Sequence, residues 1–185
     1  MQFDNWTSQI ACLSSSLISS LDTISEEYVI WLKSHPDDLD KIHWQAFERL
    51  TGEVLASHGF AVQFTGQVKN KSSDILAIES NTLGVDTKYL VECKRYSKTN
   101  KVDLTIVNAV LGAKSRANVD HALLITTSAF TRSVIKEKAK LVDLRLHLRD
   151  GEQVKEWLKE YEFKENGLWL PDNWDIDQSA RAPRT

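Results

Sequence analysis

A chain of 185 residues carrying a net charge of −3 has room for one substantial hydrophobic core and no global bias toward a polyanion. Its two cysteines, Cys12 and Cys93, exclude a disulfide framework and lack the paired spacing of a zinc site. No run is apolar and long enough to span a bilayer, and Met1 to Trp6 lacks the positive start of a secretion signal, so the expectation is a soluble, cytoplasmic protein.

The stretch to about residue 34 reads as helical. Ile10, Leu13 and Leu17 recur at helical spacing, as do Tyr28, Trp31 and Leu32, and Ser25 with Glu26 and Glu27 suits a helix start. His35-Pro36 breaks it. A second helix is predicted from Leu39 to His58, with Phe47, Leu50, Val54 and Leu55 facing inward and Gly59 as its C-terminal cap. On this helix Glu53 follows Arg49 by one turn and reads as an exposed ion-pair partner. Strand-like runs follow at Phe60 to Phe64, Asp74 to Glu79 and Lys88 to Lys94, the last two joined by the turn chemistry of Asn81 to Asp86.

Asp103 is placed to cap a helix running to Ala117 on Leu104, Val107, Val110 and Leu111. His121 to Thr126 is an apolar run of the buried-strand type, and Thr127-Ser128 opens a further helix to about Leu141. A strand from Leu144 to Leu148, a turn at Asp150-Gly151 and a helix through Trp157 to Tyr161 follow. This order predicts an α/β domain: a mixed sheet with helices on both faces. The expected division is a helical extension over 1–38, the main domain over 39–161 and a tail over 162–185 whose end, past Arg181, is disordered.

The chemistry concentrates in Val91-Glu92-Cys93-Lys94. Side chains alternate along a strand, so Glu92 and Lys94 share one face and Val91 and Cys93 the other, which makes Cys93 a small core residue rather than a nucleophile. An acid and a lysine facing into a fold need pairing or a metal; the alternative is an edge strand whose Glu92 and Lys94 face water. Folding the hairpin about Leu83 sets Ile78 opposite Lys88, Leu76 opposite Leu90 and Asp74 opposite Glu92. Opposed side chains lie about 4.5–5.5 Å apart at Cβ, and two carboxylates that close repel unless a cation lies between them. Hard oxygen ligands suit Mg²⁺, for which Mn²⁺ can substitute. A slip of one residue would disperse the group.

Glu48 lies on the border of its helix's apolar face, with Gly52 one turn on leaving space beside it; it is either a third acid of the site or a boundary carboxylate in water. Together Asp74, Glu92, Glu48 and Lys94 suit phosphodiester hydrolysis. A metal held by the acids would polarise the phosphate and acidify a bound water, and Lys94 would orient that water or stabilise developing charge. Lys69, Lys71, Arg95, Lys98 and Lys101 flank this centre and are candidates to grip a phosphate backbone, unless they form a merely solvated loop. Thr127 and Ser128 either take a phosphate at a helix start or act only as caps. His43, His58, His121 and His147 lack metal-ligand spacing and read as structural. Trp6, Trp31, Trp44 and Trp157 read as core or subunit contact, and Trp169 and Trp174 as cover for an apolar patch or a dimer seam.

Phe47-Glu48, Gly59-Phe60, Ser73 to Ala77, Tyr89 to Tyr96, Val107 to Gly112, Leu124 to Thr131 and Asp150 to Leu158 together resemble the Mrr-like family of restriction endonucleases over residues 39–158. The resemblance implies the PD-(D/E)xK nuclease fold and Mg²⁺-dependent cleavage of double-stranded DNA, often in restriction of foreign or modified DNA. It makes Asp74, Glu92 and Lys94 the acid, acid and lysine, with Glu48 as the helical acid. Cutting both strands implies a homodimer, and defence systems imply possible partner proteins. Two departures stand out: Asn70-Lys71-Ser72-Ser73 replaces a Gly-rich lead into the first acid, and the N-terminal helices look too short and apolar to be a DNA-reading domain. The rival readings are a Holliday-junction-resolvase-like nuclease and a non-catalytic DNA-binding or assembly subunit.

Overall fold

The computed structural model describes residues 29–65, 73–160, 162–164 and 167–169. Its centre is a five-stranded sheet in the order β1-β2-β3-β4-β5. The strands are β1 Ala61–Phe64, β2 Ile75–Ser80, β3 Asp86–Lys94, β4 His121–Thr126 and β5 Leu146–Arg149. The first three pair antiparallel, while β3, β4 and β5 run parallel, so the sheet is mixed, as expected.

Parallel neighbours need crossovers. Helix α3 (Leu104–Ala117) links β3 to β4, and α4 (Arg132–Lys136) with α5 (Lys138–Asp143) links β4 to β5. Both crossovers cover one face, as crossovers of one hand must when the strands advance in one direction. There Val107, Val110, Val134 and Leu141 pack on Leu90, Ala122, Leu124, Leu146 and Leu148. The other face carries helix α1 (29–34), the 3-10 helix η1 (Pro36–Lys41), α2 (Trp44–Ser57) and α6 (Gly151–Glu160). Leu39, Phe47, Leu55, Val154 and Leu158 pack there on Ile75, Val91, Cys93, Leu123 and Ile125.

Local chemistry explains most boundaries. Asp103 Oδ1 accepts the N–H groups of Thr105 and Ile106, satisfying two otherwise orphaned donors at the start of α3. At the end of α2, Phe60 N–H reaches Leu55 O and Gly59 N–H reaches Ala56 O, a Schellman closure that Gly59 makes possible at φ +84. Asp150 and Gln153 cap α6 reciprocally, each side chain accepting the other's backbone N–H, so Gly151 is the first residue of a helix rather than part of a turn.

Several expectations need correction. The helix predicted from Leu39 to His58 is two elements: Pro36 opens η1, and α2 begins only after His43, whose ring accepts the Gln45 N–H. The helix predicted from Thr127-Ser128 starts at Arg132 and breaks at Glu137, because residues 127–131 are held along the chain leaving β3. The last sheet strand begins two residues late, after Arg145 at φ 57. Glu53 is buried, not a solvated partner of Arg49. Trp31 and Trp44 are exposed, at 40% and 47%, while Trp157 packs against the core. Val29 and Leu32 are fully buried in the same cluster as Phe47. A hairpin of β6 (Glu162–Lys164) and β7 (Gly167–Trp169) lies where only a tail was expected, with β7 against α2. Trp6, Trp174, the side chain of Trp169, the early helix and the tail end lie outside the described residues. Among the described residues, no helix is long and apolar enough to cross a membrane.

Candidate active site

Strands β3 and β4 end together, Lys94 beside Thr126, at the edge of the sheet where β2 begins. The hairpin register is the expected one, with Ile78 opposite Lys88 and Leu76 opposite Leu90, and continuing it by one residue past Ile75 brings Asp74 to Glu92. Asp74 is held there from three sides. Its N–H donates to Val91 O at 3.2 Å, its carbonyl accepts the Thr65 N–H at 2.8 Å, and its Oδ2 accepts the Cys93 N–H at 2.7 Å. Buried Thr65 also donates its hydroxyl to Ser73 O, which ties the end of β1 to the start of β2.

Glu92 and Lys94 share a face as strand alternation requires, and Lys94 Nζ meets Glu92 Oε1 at 2.5 Å. Glu92 is the more buried, its side chain 14% exposed against 28% for Lys94, so this is no edge strand facing water. Its second oxygen, Oε2, is buried with no hydrogen-bond partner among the described residues. A buried carboxylate oxygen left unsatisfied is costly, and sites that retain one commonly await a ligand.

Glu48 is half-buried on α2. The space expected beside it is filled: the Phe64 ring sits on Gly52, where a Cβ would collide with it. Burial, then the nearby charges of Asp74 and Glu92, raise the Glu48 carboxyl to about 7. Burial also raises Asp74, against the opposing Cys93 N–H, and raises Glu92, against the opposing Lys94 hydrogen bond. For Lys94, burial favours the neutral form but is outweighed by Glu92 and Asp74, which hold the ammonium charged. The three acids therefore resist being ionised together, which is what a cation bound at this place would relieve.

The donor set fits a hard divalent ion. Asp74 and Glu92 offer carboxylate oxygens from adjacent strands, and Mg²⁺ is commonly bound by one or two carboxylates with waters completing its shell. Among the described residues no three ligating side chains are gathered into a closed set. Cys93 is buried in the core beneath the site, and burial raises its thiol well above the ordinary range, so it is no nucleophile.

The cationic candidates divide. Lys69 and Lys71 lie outside the described residues. Arg95 donates to Asp40 O at 3.2 Å, the Lys98 N–H to Asp40 Oδ2 at 3.1 Å, and Lys98 Nζ lies 3.7 Å from Asp37, so their loop is fastened to η1. Lys101 is exposed. Thr127 and Ser128 are neither caps nor exposed: both are buried, with hydroxyls committed to Tyr96 and to Asn100 O. Sequence reasoning missed Thr65 and the true role of Thr127; a hydroxyl residue at the end of an apolar strand was their only signal.

A family model described as restriction endonuclease, Mrr_cat, matches residues 39–158. The uncharacterized protein y4cE of Sinorhizobium fredii (strain NBRC 101917 / NGR234) is 27% identical over 136 residues, covering 74% of this chain and 34% of that protein. Among solved structures, the DNA modification-dependent restriction endonuclease AspBHI aligns with a TM-score of 0.50 at 15% identity, over 74% of this chain and 34% of that one. The MspJI restriction endonuclease in complex with a 27-mer oligonucleotide aligns at 0.42 and 17% identity, over 74% of this chain and 30% of its own. The AspBHI likeness is one of fold. This chain spans about a third of the length of each of these proteins.

Proposed function

Because the chain belongs to the Mrr_cat family of restriction endonucleases, we propose that it hydrolyses DNA phosphodiester bonds at a Mg²⁺-dependent centre of Asp74, Glu92, Lys94 and Glu48. The observation that carries this reading is the meeting of Asp74 with the Glu92–Lys94 pair, with Glu92 Oε2 buried and unsatisfied.

Asp74 and Glu92 would hold the ion, with Glu48 helping to hold it or its water shell. Bound there, Mg²⁺, or Mn²⁺ in its place, would polarise the scissile phosphate and acidify a water. Lys94, kept charged and anchored on Glu92 Oε1, would offer its remaining N–H groups to the attacking water or the developing negative charge. The Cys93 N–H fixes Asp74 Oδ2 and so the orientation of that carboxylate. Lys69, Lys71, Arg95, Lys98 and Lys101 would contact the backbone of double-stranded DNA, positioning it without reading sequence. Foreign or modified DNA is the substrate we favour, with a homodimer supplying one centre per strand and partner proteins of a defence system as possible companions.

Incubating plasmid, modified and branched DNA with Mg²⁺, Mn²⁺ or EDTA tests the proposal. Metal-dependent cutting by the native chain, lowered about 10³-fold in Lys94→Ala, is the expected result. Binding without cutting in every condition would sink it in favour of an assembly subunit. Cutting confined to junctions would replace restriction with junction resolution.

A further inference from the structure

A strand that ends at a reactive side chain leaves its last backbone groups without ladder partners, and a flexible lysine stem starts from a defined point only where that backbone is fixed. At the end of β3 the fixing is done from β4. Lys94 O accepts the Thr126 hydroxyl at 2.7 Å and the Thr127 N–H at 3.2 Å. Two residues on, the Tyr96 N–H donates to Thr127 Oγ1 at 2.9 Å, and that same hydroxyl donates to Tyr96 O at 2.8 Å. One side chain thus supplies both bonds that the next rung of a parallel ladder would have made. The clasp is backed from behind: Gly151 N–H donates to Ser128 O at 2.6 Å, and α6 presses so close to the Thr127 carbonyl that a Cβ on Gly151 would collide with it. Thr127 therefore stands between a helix it cannot retreat into and a segment it holds by two bonds.

We propose that Thr127 is a positioning residue, clasping the Lys94–Arg95–Tyr96 segment so that the Lys94 ammonium stays at Glu92 Oε1. This rests on the nuclease reading above for its catalytic consequence, and on the hydrogen bonds alone for its structural one. With its hydroxyl buried and wholly used, Thr127 has nothing left to offer a phosphate.

The test uses the full chain and its Thr127→Val and Thr127→Ser variants. Valine keeps the shape but leaves the Tyr96 N–H and C=O unpaired; serine keeps the hydroxyl. Valine is expected to lower kcat for plasmid cleavage about 10- to 100-fold at unchanged KM for DNA, the usual cost of losing a group that orients a catalytic one. Serine is expected to restore most of the rate. Hydrogen exchange at the Tyr96 amide should quicken in valine and not in serine. A valine variant that cuts at the native rate, or keeps kcat while its KM rises and its salt dependence weakens, overturns the proposal; the second result would make Thr127 a phosphate contact. If the native chain cuts no DNA, the nuclease reading fails by itself and Tyr96 exchange still decides the clasp: unchanged exchange refutes it, faster exchange upholds it. Thr127→Ala is read by the same measures if the valine variant does not fold.

Discussion

Where β3 first pairs with β4 the Tyr89 ring stacks on His121 with centroids 4.9 Å apart, and His121 stacks on His147 at 5.2 Å. At the far end of that pairing, three and five residues on and about 10 to 17 Å along the extended chain, Glu92 and Lys94 meet Asp74. Both ends take ionisable groups out of water, with opposite outcomes. Burial, then His147 and Arg145, lower His121 to about 4, so its ring is neutral and complements His147 across a 3.0 Å nitrogen–nitrogen hydrogen bond. Near Asp74, burial raises every acid, and one oxygen of Glu92 goes without a partner. Groups that complete one another support a fold. Groups held in mutual conflict weaken it, and such places are where ligands bind and chemistry is done.

The sharpest way to break this contrast is Asp74→Asn. It should lower cleavage about 10³-fold by removing a metal ligand, yet raise the unfolding temperature in EDTA by removing a buried charge. Loss of activity together with loss of metal-free stability would mean that Asp74 is a structural residue. His147→Ala should do the reverse. Emptying a buried site and orphaning the His121 nitrogen costs about 2 kcal/mol in denaturant unfolding, while cleavage per folded molecule stays at the native level.

The smallest effect is a pair of opposed pH slopes in EDTA. Glu48 has a raised folded pKa, so the unfolded chain releases that proton first, and stability falls as pH rises from about 4.5 through about 7. His121 has a lowered folded pKa, so the unfolded chain takes up a proton first, and stability falls as pH drops from about 6.5 toward about 4. Thermal scans across this range should show Glu48→Gln flattening the alkaline loss and His121→Gln the acid loss. If either substitution leaves both limbs unchanged, that residue's burial is not felt as charge.

Much of this was legible along the chain. Alternation over residues 91–94 put Glu92 with Lys94 and sent Cys93 inward, and the turn about Leu83 set a register that the hairpin keeps. Asp103 began its helix and Gly59 closed its own where cap chemistry requires. The failures share a cause. Glu53 looked solvated because an i, i+4 partner is a neighbour on one helix, but what lies over that helix is decided by other elements. Thr127 looked like a cap because a helix follows, but its hydroxyl bonds a residue 31 positions earlier. In the same way, the tie of the Arg95–Lys98 loop to Asp40, more than 50 positions away, leaves no mark on local spacing.

The sequence by itself determined the period of each segment, the face on which each acid lies and the order of elements, since these follow from neighbours within one turn or one hairpin. Only the tertiary structure decided which hydroxyls are spent, which charges are buried and which carboxylate oxygen is left unmatched. Those outcomes depend on distant chain segments excluding water from the same few ångströms, and no local spacing records which segments will meet.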